Sequence, residues 1–357
     1  MKRVGNLCGA AFSREALYQG YYDARRGKRT SRACYLFERR LAAQIEDLHQ
    51  RLLDGSYCPR PYNTFQIFEP KARIISAPAF RDRVVQHAIY NVVRPIFDKT
   101  FIDQSFACRI GKGTHAASDY VQSALQQAPR DSYVLQLDIR RYYYRLDRKV
   151  LRKLIERKIK DRRLVDVMMM FAQTEDAVGV PIGNLLSQLF GLIYLNKLDH
   201  FIKRELKVQH YARYVDDFVL IGLSLEQATD YRQRIVDFLA RELNLELSHS
   251  SIHRVSRGLN FVGFRTWASK RFVRKRALYT FRRSAKRERL ESVISSLGHA
   301  GQTASRRYML NYLQEHHHAL YRRLPESLRR PHHLQPQRPR GRDRAVHPGL
   351  GDLYRHP

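Results

Sequence analysis

Acidic residues are scarce in this chain. Asp and Glu number 34 against 65 Lys and Arg in 357 residues, giving a formal net charge of +31 at pH 7. The basic residues run from the first segment to the last, so the charge is not that of a single tail. A polyanion is the expected partner, because each neutralised phosphate releases condensed counterions and adds affinity. Acidic membrane or plain solubility would account for a basic chain, but charge so large and so dispersed favours nucleic acid. Cysteine is also rare: Cys8, Cys34, Cys58 and Cys108 form no C-x-x-C pair, which excludes a disulfide framework or zinc ribbon and fits a reducing cytoplasm. Long apolar runs are missing. The start, "MKRVGNLCGAAFSREAL", lacks the apolar core of a signal peptide, and no run approaches the ~20 apolar residues of a membrane helix. The expectation is a soluble, cytoplasmic, bacterial or phage-encoded protein with no membrane partner. Its length allows one large or two to three small domains, and it contains no internal repeat.

What is present is a succession of well-marked elements. Residues 1–60 read as a basic helical segment, in which Leu36, Leu41, Ile45, Leu48 and Leu52 keep a three-to-four spacing that ends at Gly55. From Pro61 come short β-prone runs, "NTFQIFEPKARIISAPAF". An amphipathic helix follows, "RDRVVQHAIYNVVRPIF", with Val84, Val85, Ala88, Ile89 and Val92 on the buried side. "SYVLQLDI" predicts a strand ending at Asp138. Next come one helix over "RKVLRKLIERKIKDRRLVDVMMMFA" and a very apolar one over "NLLSQLFGLIYLNKLDHFIKREL". "ARYVDDFVLIG" reads as a hairpin, Ser224 and Gln227 as a capping box, and "LELS" and "LNFVGFRTW" as further strands. Strand, helices, two strands, helix, strand is the split βαβ order of a ferredoxin-like antiparallel sheet with helices on one face, an α+β fold. Basic helices return up to residue 323. The tail, 324–357, rich in Arg, Pro and His without a period, reads as disordered. Its His332 and His333, like His316, His317 and His318 before them, lack the spaced partners of a metal site and read as solvated surface.

"RYVDDFVL" sets Asp216 beside Asp217 between apolar strand residues. An Asp pair alone is as often a surface turn, but a surface turn seldom needs apolar strand on both sides. The predicted order brings Asp216 and Asp217, in the hairpin turn, beside Asp138 at one sheet edge. Three converging carboxylates are tolerable once cations neutralise them, and two Mg²⁺ ions bridged by aspartates are what a nucleotidyl transferase uses.

On these residues the chain resembles the reverse transcriptases. "YVDD" looks like their Y-x-D-D box and "LDIRRYYYRLD" like their first palm motif. The resemblance implies a right-hand polymerase with fingers and palm over 61–264 and a helical thumb over 265–323. It implies Asp138, Asp216 and Asp217 as catalytic metal ligands, with the backbone carbonyl of Ile139, for two Mg²⁺ or Mn²⁺ ions. Tyr143 would be the steric gate against a ribonucleotide 2′-OH, while Tyr142 or Tyr144 reads as a core tyrosine. "KARIIS" and the segment after it are similar to the fingers of bacterial, group II intron-like enzymes. By that likeness Lys71 and Arg73 would meet the incoming triphosphate. Arg109 and Lys112, beside Gly111 and Gly113, would meet the template, although solvated surface cations would look the same. Tyr214 and Gly263, the latter in the primer-grip-like "GLNFVGF", would contact template or primer.

One motif narrows the resemblance. Retroviral and group II intron enzymes usually carry P-Q-G and then S-P between the Asp clusters, where this chain reads "GVPIGNLLSQLF". Ile182, Gly183, Ser187 and Gln188 resemble the I-G-x-x-x-S-Q of diversity-generating retroelement reverse transcriptases, which copy a template-repeat RNA and misincorporate opposite adenines. A glutamine at position 182 could hydrogen-bond near the nucleotide where isoleucine cannot, so selectivity can fall; Ile182 as plain core packing is the alternative. The family implies an RNA template, a DNA or RNA primer, dNTPs, an accessory variability protein and a structured template-repeat RNA as partners. No segment beyond the thumb reads as a maturase, endonuclease or RNase H domain. His249 stands where many relatives carry a lysine that protonates pyrophosphate, and is equally readable as a surface histidine. Two other functions fit the same residues: a host role such as phage defence, and a catalytically silent RNA-binding protein on a polymerase scaffold.

Overall fold

Helices build the N-terminal segment, with one break that the spacing does not announce. The computed structural model describes residues 3–68 and 72–329. The chain divides into two units, 1–274 and 275–357. Helices α1 (Leu7–Phe12), α2 (Arg14–Arg25), α3 (Arg32–Glu38) and α4 (Leu41–Asp54) open the first. The single helix expected from Arg32 onward is two, because Arg40 leaves helical geometry at φ −127°, ψ 37°. Leu36, expected on the apolar stripe, is consequently exposed. Ile45, Leu48 and Leu52 are buried, and Gly55 ends α4 at φ 87°, a left-handed conformation that glycine adopts without a Cβ clash.

Strands β1 (Asn63–Ile67) and β2 (Arg73–Ala77) form an antiparallel hairpin. Helix α5 (Phe80–Asp98) buries Val84, Val85, Ala88, Ile89 and Val93, while Val92, expected among them, is half-buried. Gly20 of α2 lies so near α5 that a Cβ there would stand 2.4 Å from the Val84 carbonyl oxygen, so glycine is what lets these helices touch. Helix α6 (Thr114–Gln127) follows.

The central sheet comes next. Its elements are β3 (Tyr133–Ile139), α7 (Tyr142–Arg145), α8 (Arg148–Glu156), α9 (Arg162–Met170), α10 (Leu185–His200, continued by a π turn), β4 (His210–Tyr214), β5 (Asp217–Leu223), α11 (Leu225–Leu243) and β6 (Leu247–Arg254). The long helix expected before α10 is α8 and α9, separated by residues 157–161. The strands run β4-β5-β3-β6, all antiparallel, which is the predicted split βαβ order. Ser224 and Gln227 do close a capping box on α11.

Alternation along the strands divides the core. Leu135, Leu137, Phe218 and Leu220 join the large cluster that includes α10 and α11. Val134, Val219 and Ile221 join a second cluster with Val121 and Leu125 of α6. The expectation of helices on one face therefore fails: α6 covers part of the other, which is why β5 is apolar on both sides. The three short strands β7 (Leu259–Phe261), β8 (Phe264–Thr266) and β9 (Arg271–Val273) form an antiparallel sheet, with Leu259 and Phe261 in that second cluster.

The second unit is helical: α12 (Lys275–Lys286), α13 (Leu290–His299), α14 (Ser305–His316), α15 (His318–Arg322) and α16 (Glu326–Arg329). Phe281, Val293, Leu297 and Leu313 are buried. The division between the units falls after Arg274, with β8 and β9 in the first; the expected thumb, 265–323, includes β9 and the first four helices of the second unit, α12 to α15. Residues 326–329, counted with the tail, form a helical turn. Residues 330–357, with His332 and His333, lie outside the described residues.

Candidate active site

The register of the central sheet sets Asp138 on β3 directly opposite Asp217 on β5. The β4–β5 turn consists of Val215 and Asp216; Asp217, expected in the turn with its neighbour, is the first residue of β5. The Ile139 N–H donates to the Asp216 carbonyl at 3.2 Å, which ties the turn to the end of β3. Burial and the neighbouring Asp138 push the Asp216 carboxyl up to about 6, with Arg73 and Arg213 opposing the rise. Burial likewise lifts Asp217 to about 6, against a hydrogen bond from Gln136. The Gln136 amide donates to Asp217 Oδ1 at 3.2 Å and to the Asn260 carbonyl at 2.9 Å, linking this carboxylate to β7. Ser248 Oγ donates to Asp138 Oδ2 from the other side of β3. Among the described residues, no three His, Cys, Asp or Glu side chains are arranged to hold a metal ion.

Behind the turn is a feature the sequence reading passed over. Arg213 and Asp199 are both fully buried. Arg213 Nε donates to Asp199 Oδ1 at 2.7 Å and Nη2 donates to Oδ2. Tyr211 Oη donates to the same Oδ1 at 2.7 Å, and Ser105 Oγ accepts from Arg213 Nη2 at 3.1 Å. The remaining donor, Nη1, reaches the Val215 carbonyl at 2.9 Å. Burial opposes the charge on Arg213, but the Asp199 carboxylate outweighs it and raises the guanidinium above its ordinary value. Val215 sits at φ 58°, a conformation that costs a β-branched residue about 1–3 kcal/mol. The arginine thus holds a strained turn from within. Part of the signal was legible: an arginine between apolar strand residues needs an acid, although Asp199, in the polar last turn of α10, does not stand out as its partner.

The nucleotide-side candidates gather unevenly. Arg73 opens β2 and is exposed, and its charge bears on both Asp216 and Tyr143. Tyr143 is half-buried, its hydroxyl pushed well above the usual phenol range by burial, with Asp216 among its neighbours. Its ring edge lies close enough to Gly191 of α10 that a Cβ there would stand 3.2 Å away. Tyr142 is a core residue donating to the Gly191 carbonyl at 2.6 Å. Tyr144, expected in the core as its alternative, is exposed instead, and its hydroxyl accepts from Ile74 N–H at 3.3 Å. A cleft of about 630 Å³ lies here, lined by Gln66, Arg73, Ile74, Arg141, Tyr144 and Arg145 among others. The Ile182 carbonyl accepts from Ser76 N–H at 2.7 Å, and Gly183, at φ 106°, lies under β2, where a Cβ would meet Ile75 Cγ2 at 2.7 Å. The I-G pair is therefore where this loop seats on the hairpin. Ser187 is buried with no partner for its hydroxyl among the described residues, and Gln188 is exposed. Lys71 lies outside the described residues.

The template-side candidates are committed to their own loops to different degrees. The Arg109 guanidinium is turned inward, donating to Asp98 at 2.8 Å and to the carbonyls of Ile102 and Ser105 at 2.6 and 3.1 Å. These bonds, through Nε and Nη1, fasten the side chain to its own loop. Lys112 donates to the Asp103 carbonyl at 2.7 Å while staying partly exposed. Gly111 and Gly113, at φ 74° and 143°, have open space where a Cβ would be. Tyr214 is half-buried on β4; Gly263, at φ 91°, forms the β7–β8 turn. His249 is the β6 register partner of Asp138 and is exposed.

The family model described as reverse transcriptase (RNA-dependent DNA polymerase) matches residues 67–266. The chain is 27% identical over 296 residues to Protein YkfC of Escherichia coli (strain K12), covering 68% of this chain and 75% of that one. It is 28% identical over 171 residues to the group II intron-encoded protein LtrA of Lactococcus lactis subsp. cremoris, covering 44% of this chain but 28% of LtrA. Among solved structures, telomerase from Candida albicans resembles it at 14% identity and a TM-score of 0.47, over 74% of this chain and 55% of that one. The matched region takes in β2, the Asp-bearing sheet and β8, within an α+β fold of the right-hand polymerase kind. The chain belongs to the reverse transcriptase family, the RNA-dependent DNA polymerases.

Proposed function

We propose that this protein makes cDNA by extending a primer 3′-hydroxyl with dNTPs on an RNA template, as the mutagenic reverse transcriptase of a diversity-generating retroelement. The observation that carries the polymerase reading is the paired register of Asp138 and Asp217 with Asp216 in the adjoining turn. The carboxylate donor set suits hard divalent cations, and two of the three carboxyls are lifted by burial and mutual repulsion, which bound cations would relieve. Asp138, Asp216 and the Ile139 carbonyl would hold two Mg²⁺, or Mn²⁺, with Asp217 in support. Such ions would supply activation of the 3′-hydroxyl and charge stabilisation at the leaving pyrophosphate. Arg73, Arg141 and Arg145 in the cleft would take the triphosphate, which arginine forks suit well. Lys71 would join them. Tyr143 beside Asp216 would exclude the 2′-OH, while Tyr214 and the Gly263 turn would face template and primer.

The retroelement role rests on Ile182, Gly183, Ser187 and Gln188. With Ile182 in place of a hydrogen-bonding side chain, the loop seated on β2 offers the nucleotide apolar contact and polices its geometry less closely. An accessory variability protein, a structured template-repeat RNA and a bacterial or phage cytoplasm belong to the same reading. Sequencing cDNA made from a defined RNA tests it. Errors should concentrate opposite template adenines; a low, even error spectrum would leave an ordinary reverse transcriptase, such as one with a host role.

A further inference from the structure

A second basic concavity lies on the first unit and shares no residue with the cleft at Arg73. It has a volume of about 810 Å³ and is lined by the helices α8 and α9, the loop between them and the N-terminal segment. The N-terminal segment is fastened there: Val4 pairs in parallel with Ile159, its N–H donating to the Lys158 carbonyl and its carbonyl accepting from Lys160 N–H, both at 2.7 Å. Arg3 Nη2 donates to the Ile159 carbonyl at 3.0 Å, so its guanidinium is set into the wall.

The charges in this groove do not balance. Its two carboxylates, Glu156 and Asp166, are both held by Arg152, at 2.8 and 2.6 Å. Six basic side chains line the groove against those two acids, an excess of four positive charges. Lys153, Arg157, Lys160 and Arg162 make no ion pair among the described residues, and all four are exposed. Like charges gathered in a concavity with low-dielectric walls repel one another and concentrate anions. Cations on both walls suit a chain of phosphates, which arginine and lysine bind through charge-assisted contacts.

We infer that the α8–α9 groove binds the phosphate backbone of an RNA outside the template-primer duplex, fastening a structured part of the RNA that the enzyme copies. This rests on the proposed polymerase function for its RNA, but not for its test. The perturbation is the combined Lys153→Ala, Arg157→Ala and Arg162→Ala variant of the full chain. The control removes equal charge elsewhere, at the exposed Arg204, Lys207 and Arg232. Fluorescence anisotropy of a labelled stem-loop RNA across a salt series reads the number of phosphates held. Loss of three contacts should make the log–log salt slope shallower by about 2 for the groove variant, at roughly 0.7–0.9 per phosphate. The control should change less, and extension of oligo(dT) on poly(rA) by the groove variant should stay within about twofold of the parent, well under the 1.4 kcal/mol of a tenfold effect.

An unchanged slope, or an equal change in the control, overturns the inference. A parallel loss of poly(rA) extension also overturns it, because the groove would then hold the template-primer itself. So does loss of polyglutamate binding with RNA binding intact, which would assign the groove to an acidic protein. A parent that extends no primer refutes the proposed function instead, and leaves the salt slopes to decide on the groove.

Discussion

Removing Arg213 should damage this protein twice, once in stability and once in catalysis. Arg213 and Asp199 are wholly out of solvent, so Arg213→Met leaves a buried carboxylate whose remaining donor is Tyr211. Breaking a buried pair in this way costs about 3–5 kcal/mol. The exposed pair Arg14–Glu46, with side chains 50% and 45% accessible, makes the contrast: Arg14→Met should leave the unfolding midpoint almost unchanged, because solvent screens an exposed pair. Urea unfolding measures both. The double variant Arg213→Met with Asp199→Leu leaves no orphan charge and should recover most of the stability. It should not recover primer extension, because the Val215 carbonyl has still lost the donor that holds the turn at φ 58° ahead of Asp216. One lost hydrogen bond of about 1–1.5 kcal/mol corresponds to roughly a tenfold loss in rate if the whole of it positions Asp216. The effect should fall on kcat, with KM for dNTP little changed. An Arg213→Met variant as stable as Arg14→Met, or a double variant with full extension, would refute this account of the turn.

Protonation gives a second expectation. Asp216 and Asp217 are raised from 3.8 to about 6, so between those values the folded chain keeps protons that the unfolded chain has released. Their contribution to stability therefore falls as pH rises from about 4 to 6 and is most unfavourable above 6. In metal-free buffer at pH 7, Asp217→Asn should be more stable than the parent, by up to about 3 kcal/mol, and the difference should vanish near pH 4; a less stable variant in urea titrations contradicts it. Gln136→Leu removes the donor shared between Asp217 and the Asn260 carbonyl, and should lower primer extension several-fold while thermal unfolding moves little; unaltered kinetics would deny the link. Gly183→Ala puts a Cβ at 2.7 Å from Ile75 Cγ2 in a backbone at φ 106°, and should cost about 1–3 kcal/mol by thermal melts, against no cost if the loop seats elsewhere. Tyr143→Ala should raise ribonucleotide incorporation relative to dNTP in single-turnover assays, and equal discrimination would remove it as the gate.

The order of elements was legible because period and turn chemistry agree there. The apolar strands around Asp138 and Asp217, the capping box at Ser224 and the glycine stop at Gly55 each carry a local signal. Arg40 and the α8–α9 break carry none, since helix-forming residues continue through both; what the α8–α9 break does is set exposed basic residues on the rim of a groove. Of the site, the carboxylates were readable from their apolar flanks. That Arg109 folds onto its own loop carbonyls was not legible, because sequence cannot tell a cation reaching outward from one turned inward. Arg213 was missed because its partner lies 14 residues earlier, and only the packing of α10 behind β4 brings them together.

Primer extension on an RNA template, with dNTPs and Mg²⁺, compared between the parent and Asp216→Ala, decides whether these carboxylates make the protein a polymerase. The parent should make RNA-templated DNA and the variant none, although both bind the RNA equally. Absence of synthesis by the parent with its own RNA and partners, or undiminished synthesis by Asp216→Ala, would contradict it.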